Sequence, residues 1–290
     1  MPLAGLKIIG ESINDSIPST HQLYETNKLD EIVALAKFQD ERGAAYIDVN
    51  IGIRPAGFMA DLVRRIQQVT SKPLSIDTPD AEIAAAALEV YDSEKSGGQD
   101  PILNSISLSR LEMFDLYQMQ SFIPILLATE GKHVTAGGKM NTTAEDTHHT
   151  AKEFVMIAAD RIPGFSNDKC IIDPGIMPIG SDMEGNFKRL MQACEMIHKD
   201  PDLAGVNLSV GLSNFTVMLP SKRADGTPVK GPLESGFLTL TMPLGLNMVI
   251  GSVKRKYRIL EKDHPAIMCL KDVLQMEGVD ILTRVMQYYS

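Results

Sequence analysis

The 290-residue sequence has no tryptophan and only three cysteines, Cys170, Cys194 and Cys269. They are odd in number and widely spaced, with no Cys-x-x-Cys pair, so the sequence predicts neither a disulfide framework nor a zinc ribbon. Acidic residues outnumber basic ones, and the formal net charge is −9. This charge argues against non-specific nucleic-acid binding, which needs clustered Lys and Arg against phosphate. We predict a protein of a reducing compartment, located in the cytoplasm.

Several common site motifs are missing as well. The sequence contains no Gly-x-x-x-x-Gly-Lys-Ser/Thr and no Gly-x-Gly-x-x-Gly, so it predicts no phosphate-cradling loop. His148 and His149 are adjacent and point in different directions on a helix, and no histidines have His-x-x-x-His spacing. We therefore predict no metal site. The N-terminus lacks the layout of a signal peptide, because Glu11 follows Lys7 after a short apolar run.

One uncharged stretch, Gly236 to Val253, approaches the roughly 20 residues that a membrane span requires. Pro243 and Gly245 interrupt this stretch, and threonines, a serine and Asn247 dilute its hydrophobicity. We therefore predict a buried helix followed by a buried strand, and no contact with a membrane.

Apolar, strand-like runs recur along the chain, and several of them end in a small polar or acidic residue. The predicted strands are Leu6–Ser12, Ala45–Ile51, Leu74–Asp77, Ile102–Ile106, Ile123–Thr129, Cys170–Asp173, Gly205–Val210 and Asn247–Ser252. The predicted helices are Leu29–Arg42, Gly57–Val69, Asp80–Tyr91, Arg110–Gln118, Ala144–Arg161, Phe187–His198, Leu233–Leu244 and Pro265–Tyr289. Alternating strands and helices favour a parallel sheet. Eight such units predict an α/β protein with one (β/α)8 TIM barrel domain over residues 1–290.

The long connecting segments follow the carboxyl ends of the strands, where a barrel enzyme elaborates its catalytic face. These segments are Asn14–Lys28, Glu130–Thr143, Gly175–Gly185 and Ser213–Pro232. At the same strand ends lie Asp48, Asn50, Asp77, Asn104, Asp173 and Asn214. Carboxylates buried without an evident cationic partner are costly unless a ligand supplies donors. We therefore predict a pocket rich in Asp and Asn and poor in basic residues, suited to a neutral ligand with many N–H groups.

Individual candidates have two interpretations each. Asp173 lies at the end of an apolar run, directly before a Pro-Gly turn. It either caps that turn or accepts two parallel hydrogen bonds, of the kind that a 2-amino-4-oxopyrimidine edge donates. Asn214 either belongs to a Gly-Leu-Ser-Asn turn or bonds to charge that develops on a ligand. Lys222 and Arg223 either reach an anionic ligand tail or are solvated, and Lys254–Lys256 marks the exposed end of the last strand.

Taken in order, these motifs resemble the pterin-binding domains of corrinoid-dependent methyltetrahydrofolate methyltransferases. The matching segments are Ile9–Asn14, Asp48–Gly52, Ser75–Asp77, Leu103–Ser105, Ile172–Pro174 and Gly211–Asn214. The opening segment departs from the Gly-Glu-Arg-x-Asn pattern of that family, because Ser12 stands where the family has arginine. The member type that the chain resembles most is the stand-alone enzyme that exchanges methyl groups between tetrahydrofolate and a separate corrinoid protein.

The resemblance implies a role for each matching residue. Asp77, Asn104 and Asp173 are implied to hold the pterin ring, and Asp48 and Asn50 to belong to the same site. Glu11 and Asn14 are implied to line the mouth of the pocket. Asn214 is implied to contact N5 and to be the catalytic residue. The implied substrates are tetrahydrofolate, as methyl donor or acceptor, and cobalamin carried by a partner protein. A homodimer is implied as well.

Three alternatives stay open from the sequence. A dihydropteroate synthase would share the pterin site, but that family carries an Arg-x-His pattern near the last strand to hold diphosphate, and none follows Val249–Lys254. The same methyl transfer could use tetrahydromethanopterin. A non-catalytic pterin carrier would leave Asn214 without a role.

Overall fold

The computed structural model describes residues 3–131 and 140–290. Eight parallel strands pair in chain order and close into a barrel, with the last strand beside the first. The strands are β1 (Lys7–Asn14), β2 (Tyr46–Asn50), β3 (Leu74–Asp77), β4 (Ile102–Ile106), β5 (Ile123–Leu127), β6 (Ile171–Asp173), β7 (Asn207–Gly211) and β8 (Leu246–Gly251). The (β/α)8 TIM barrel that the sequence predicts is confirmed.

Ten α-helices accompany these strands in the described ranges. They are α1 (Pro18–Glu25), α2 (Leu29–Glu41), α3 (Ala56–Ile66), α4 (Ala81–Val90), α5 (Ala144–Arg161), α6 (Asn186–Lys199), α7 (Leu212–Phe215), α8 (Lys230–Thr241), α9 (Pro265–Val273) and α10 (Val279–Tyr289). The connection from β4 to β5 is a 3-10 helix, Leu111–Gln118, where the sequence predicted a short helix.

Local sequence explains how these helices begin and which face they bury. The Asp80 side chain accepts hydrogen bonds from the backbone N–H groups of Glu82 and Ile83, which fixes the start of α4. Helix α3 carries its buried residues, among them Met59 and Val63, on one side at helical spacing. Each fully buried aliphatic side chain of this kind contributes about 1.5–3 kcal/mol.

Two helical predictions were wrong in detail. No helix was predicted in the connecting segment Asn14–Lys28, but it contains α1, which begins at a proline, a residue that suits the first helical turn. The C-terminal stretch was expected to be one helix, but α9 and α10 are separate, and Gly278 before α10 has a positive φ of 56°. Segment Gly236–Val253 forms the end of α8, a short 3-10 turn and β8, and no helix in the described ranges is long and apolar enough to cross a membrane.

The barrel interior is layered, because alternate residues of each strand point inward. A cluster of mostly aliphatic residues, here called the floor, fills its lower part: Ile9, Tyr46, Ile102, Ile125, Ile171 and Met248, all buried. Two positions further along the same strands are Glu11, Asp48, Asn104, Leu127, Asp173 and Ile250. A largely polar layer therefore rests on an apolar floor, at the carboxyl ends of the strands.

Candidate functional site

A cavity of about 650 Å³ opens at the carboxyl ends of the strands. Six of the eight predicted site residues line it: Glu11, Asn14, Asp77, Asn104, Asp173 and Asn214. The remaining two, Asp48 and Asn50, are not part of its wall. Residues separated by up to about two hundred positions in sequence therefore meet at one opening, as the barrel geometry requires.

Asp77, at the end of β3, receives hydrogen bonds from two asparagines. Asn50 Nδ2 donates to its Oδ2 at 3.0 Å, and Asn14 Nδ2 lies 3.5 Å from the same oxygen. Burial raises the pKa of Asp77 to about 6, although the bond from Asn50 and a contact with Asp48 act in the opposite direction. The carboxyl group therefore has two fixed neighbours and faces the cavity with a charge that is lost below about pH 6.

Asp48 lies behind Asp77 and has no exposed surface. The Ser75 hydroxyl donates to its Oδ1 at 2.7 Å, while burial and the charge of Asp77 raise the pKa of Asp48 well above its ordinary value. Ionisation is therefore less favourable at Asp48 than at Asp77. Direct contact of Asp48 and Asn50 with a ligand stays a prediction, since Asp48 has no exposed surface and the Asn50 amide is bonded to Asp77.

Asp173, at the end of β6, caps the turn that follows it, and the structure leaves its second oxygen for the ligand-binding interpretation. The Gly175 N–H donates to Oδ1 at 2.7 Å, so one oxygen caps the turn, while Oδ2 has no hydrogen bond among the described residues. Burial raises the pKa of Asp173 to about 6, against the opposing effects of the Gly175 N–H and the Arg189 charge. Gly175 has a φ of 76°, and a Cβ there would collide with Thr129 Cγ2. Only glycine fits this turn.

Arg189 of α6 is a cationic neighbour of Asp173 that the sequence analysis missed. It is 7% exposed, and its guanidinium donates to Thr147 Oγ1 and to the carbonyl oxygens of Pro174 and Gly175, each at 3.0 Å. The expectation of carboxylates without cationic partners was therefore wrong at this position. Nothing in the local sequence marks Arg189, because an arginine inside a helix is usually solvated.

The opposite wall of the cavity contains a second carboxylate pair. The Ser213 hydroxyl donates to Glu11 Oε2 at 2.8 Å. Glu234 is 2% exposed, accepts a 2.7 Å hydrogen bond from the Thr216 hydroxyl, and lies 3.2 Å from Arg255 Nε. Burial, followed by the charge of Glu234, raises the pKa of Glu11. The pocket is therefore less poor in basic groups than predicted, since Arg255 lines it although its segment was expected only to be an exposed strand end.

Asn214 lies between these two walls in α7, a short helix where the sequence predicted a flexible turn. Its side-chain amide is exposed at the cavity and makes no hydrogen bond within the described part of the chain. A Cβ at Gly211 would lie 2.8 Å from Asn214 Nδ2, so the glycine leaves room for the amide. The group is available to a ligand without breaking an existing bond.

Other candidates lie outside the cavity. Arg223 donates to the Tyr288 carbonyl at 2.8 Å and stacks on the Tyr288 ring, so it is not available to a ligand tail, whereas Lys230 lines the cavity. His148 is 2.8 Å from Asp200, and among residues 3–131 and 140–290 no three His, Cys, Asp or Glu side chains are grouped as metal ligands would be. His133 and most of segment Glu130–Thr143 lie outside the described residues.

Comparison with known proteins agrees with this geometry. The family described as pterin binding enzyme matches residues 13–251. A curated relative from Eubacterium limosum, named methylcorrinoid:tetrahydrofolate methyltransferase, is 26% identical over 251 residues, which cover 84% of this chain and 83% of the relative.

Solved structures of dihydropteroate synthases share the fold at low identity. The enzyme from Vibrio fischeri ES114 has a TM-score of 0.60 at 16% identity, covering 95% of this chain and 96% of its own. The enzyme from Xanthomonas albilineans in complex with 7,8-dihydropteroate has a TM-score of 0.56 at 16% identity, with the same coverage. Because the family match spans most of the barrel, from β1 to the end of β8, this chain belongs to the pterin-binding enzymes, as its ordered motifs predicted.

Proposed function

We propose that this protein transfers a methyl group between N5 of a tetrahydrofolate and the cobalt of a corrinoid carried by a separate protein. The observation that carries the proposal is the joint placement of Asp77, Asn104 and Asp173 beside an unbonded Asn214 amide in one cavity. The name of the 26% identical relative supports the same reaction. The solved synthase structures support the fold alone.

Ring recognition follows from the charges of the cavity. Oδ2 of Asp173 is free to accept from adjacent N–H donors of an aminopyrimidine edge, and such charge-assisted bonds are about twice as strong as neutral ones. Asp77 provides a second carboxylate, and the Asn104 amide can both donate and accept. A neutral pterin offers the donors that these buried carboxylates otherwise lack.

Catalysis requires that N5 change its bonding while the ring stays fixed. When bound, the corrinoid supplies a cobalt that gives or takes the methyl group. Asn214 contributes a hydrogen bond that strengthens as charge develops at N5, which lowers the barrier only if the bond is stronger in the transition state. The fixed ring contacts contribute by holding N5 in line with the incoming partner, an effect of up to several kcal/mol.

The corrinoid partner is proposed to dock over the cavity. Apolar side chains on the surrounding loops are exposed there: Ile53, Met140, Met177, Met183, Val217 and Met218. Three of them, Met140, Met177 and Val217, also line the cavity. Flexible methionines around an opening are typical of a surface that accommodates a partner.

A homodimer in the cytoplasm also stays part of the proposal. Met268, Val279 and Met286 of α9 and α10 are about half exposed or more and offer apolar surface to a second copy. The three cysteines are buried free thiols. Gel filtration with light scattering would test the dimer.

Incubation with tetrahydrofolate and a methylcorrinoid protein, followed by absorption spectroscopy of the cobalt, tests the function. We expect a spectral change that depends on tetrahydrofolate, is lost in Asp173→Asn and is kept in Asp168→Asn, a matched change five residues away on the surface. A protein that instead joins a pterin diphosphate to an aromatic amine, without dependence on cobalt, would be a synthase, and the proposal would be wrong.

A further inference from the structure

We propose that Glu11 is a catalytic residue that accepts the proton of N5 when tetrahydrofolate is methylated and returns it in the reverse direction. This inference rests on the proposed function. The N5 lone pair forms the new nitrogen–carbon bond, and the methyl–cobalt bond breaks with its electron pair left on the corrinoid. N5 then carries both a proton and the methyl group, and the proton must pass to a base.

The position of Glu11 places a carboxylate beside the expected location of N5. Glu11 lies in the middle of β1 and lines the cavity, and its Oε2 accepts the 2.8 Å hydrogen bond from the Ser213 hydroxyl. Ser213 directly precedes Asn214, which is the residue proposed to contact N5. The hydroxyl both fixes the carboxylate and provides a short path along which a proton can move.

The other carboxylates of the cavity wall are engaged differently. Asp77 and Asp173 lie with Asn104 on the side proposed to bind the pyrimidine edge, away from the reacting nitrogen. Glu234 lies beside the guanidinium of Arg255, and Glu184 is exposed on the loop between β6 and α6. Within the described cavity wall, Glu11 is the carboxylate that has only a neutral hydroxyl as hydrogen-bond donor.

The charges around Glu11 act in both directions. Glu234 of α8 repels the ionised form, while Arg255, after β8, stabilises it, and the buried carboxyl group of Asp48 and phenol of Tyr257 lie nearby. Burial is the largest influence, and the pKa of Glu11 is raised. A carboxylate whose pKa is moved toward the working pH is a more effective proton acceptor and donor than an ordinary glutamate.

The variant Glu11→Gln removes the base while keeping the shape. The rate constant of tetrahydrofolate methylation should fall by about 10²- to 10⁴-fold, the usual scale for a lost general base. Tetrahydrofolate affinity should change far less than the rate constant, since the proposed ring contacts are made by Asp77, Asn104 and Asp173. Glu41→Gln, an exposed glutamate at the end of α2, is the matched control and should retain the wild-type rate.

The pH profile separates a proton acceptor from a structural residue. In the methylation direction, the wild-type rate at saturating tetrahydrofolate, where the titration of Asp77 and Asp173 no longer limits binding, should rise with pH through the pKa of Glu11 and then level off. Glu11→Gln should abolish this rise. Ser213→Ala removes a bond that stabilises the carboxylate, so the rise should move to higher pH. Independently of activity, the side-chain carboxyl ¹³C resonance that disappears in Glu11→Gln should titrate above the ordinary glutamate value.

A wild-type rate in Glu11→Gln, or a pH rise that persists in that variant, would overturn the role of Glu11 while leaving the proposed function intact. A ¹³C titration at or below the ordinary value would also overturn it. If the wild-type protein shows no methyl transfer at all, the proposed function fails first, and the inference fails with it.

Discussion

The substitution Asp173→Asn should weaken pterin binding and, at the same time, stabilise the ligand-free protein at neutral pH. The change is nearly isosteric, and the amide oxygen of the new side chain can keep the hydrogen bond from the Gly175 N–H. What it removes is the negative charge on the oxygen that faces the cavity. Binding and stability respond to this charge with opposite signs.

The stability change follows from the shifted pKa. The pKa of Asp173 is raised from 3.8 to about 6, and each unit corresponds to about 1.4 kcal/mol, so ionising this group costs the folded protein about 3 kcal/mol. The cost is absent below pH 3.8, where the carboxyl is protonated in both states, and complete above about pH 6. The neutral amide of the variant has no such cost, and the variant should therefore melt roughly 5 °C higher at pH 7 but near the wild-type temperature at pH 4.

The binding change follows from the loss of a charge-assisted contact. In the variant, a neutral amide replaces the anion, and its NH2 group faces the N–H donors of the pterin. This change should weaken binding by about 2–4 kcal/mol, or roughly 30- to 1000-fold in Kd. Thermal melts across pH 4–8 and tetrahydrofolate titration by fluorescence measure both quantities, with Asp168→Asn as the exposed control. Unchanged affinity, or a destabilisation that is equal at all pH values, would refute the placement of an ionised Asp173 at the ligand.

Three further outcomes are expected. Asn214→Ala should lower the methyl-transfer rate constant by about 10²-fold while Kd changes little, and stopped-flow transfer at the parent rate would contradict this. Arg189→Met removes the donors that hold the turn after β6, so the free energy of unfolding should fall by about 2–4 kcal/mol. It also removes the charge that lowers the pKa of Asp173, so the pH below which pterin affinity declines should rise. Arg189→Lys, which keeps the charge, should restore the pH dependence better than the stability. Asp48→Asn should bind pterin within about threefold of wild type at pH 7, because Asp48 is fully buried and outside the cavity wall. A loss as large as in Asp173→Asn would place Asp48 in contact with the ligand.

The barrel could be predicted from the sequence because strand ends carry a strong local signal. Parallel buried strands are short apolar runs, and a polar residue followed by a turn marks the end of each; β3 and β4 were predicted to the residue. The helix α1 was missed since it has little apolar periodicity and no side-chain cap, and only Pro18 signals its start. That one domain covers the whole chain stays a prediction.

The candidate site was harder to predict, because how far a side chain lies from the barrel opening depends on tertiary packing and cannot be read from local sequence. Asp48 and Asn50 share the inward face of β2, but only the packing shows that Asp48 is fully buried and outside the cavity wall. Position within the strand does not supply this information, since Asn104 also comes two residues before its strand ends and lines the cavity. Arg189 and Glu234 lie inside helices, where buried charges cannot be told from solvated ones without the packing.

The apolar floor beneath the polar layer also limits the order of events in a catalytic cycle. Its residues are buried and close the barrel below the cavity, so a pterin enters and leaves through the same opening over which the corrinoid partner is proposed to dock. The pterin must therefore bind first and leave last, and a docked partner traps it for the duration of transfer. Excess partner protein should accordingly inhibit turnover by occupying the empty enzyme, a kinetic pattern that a barrel open at both ends would not show.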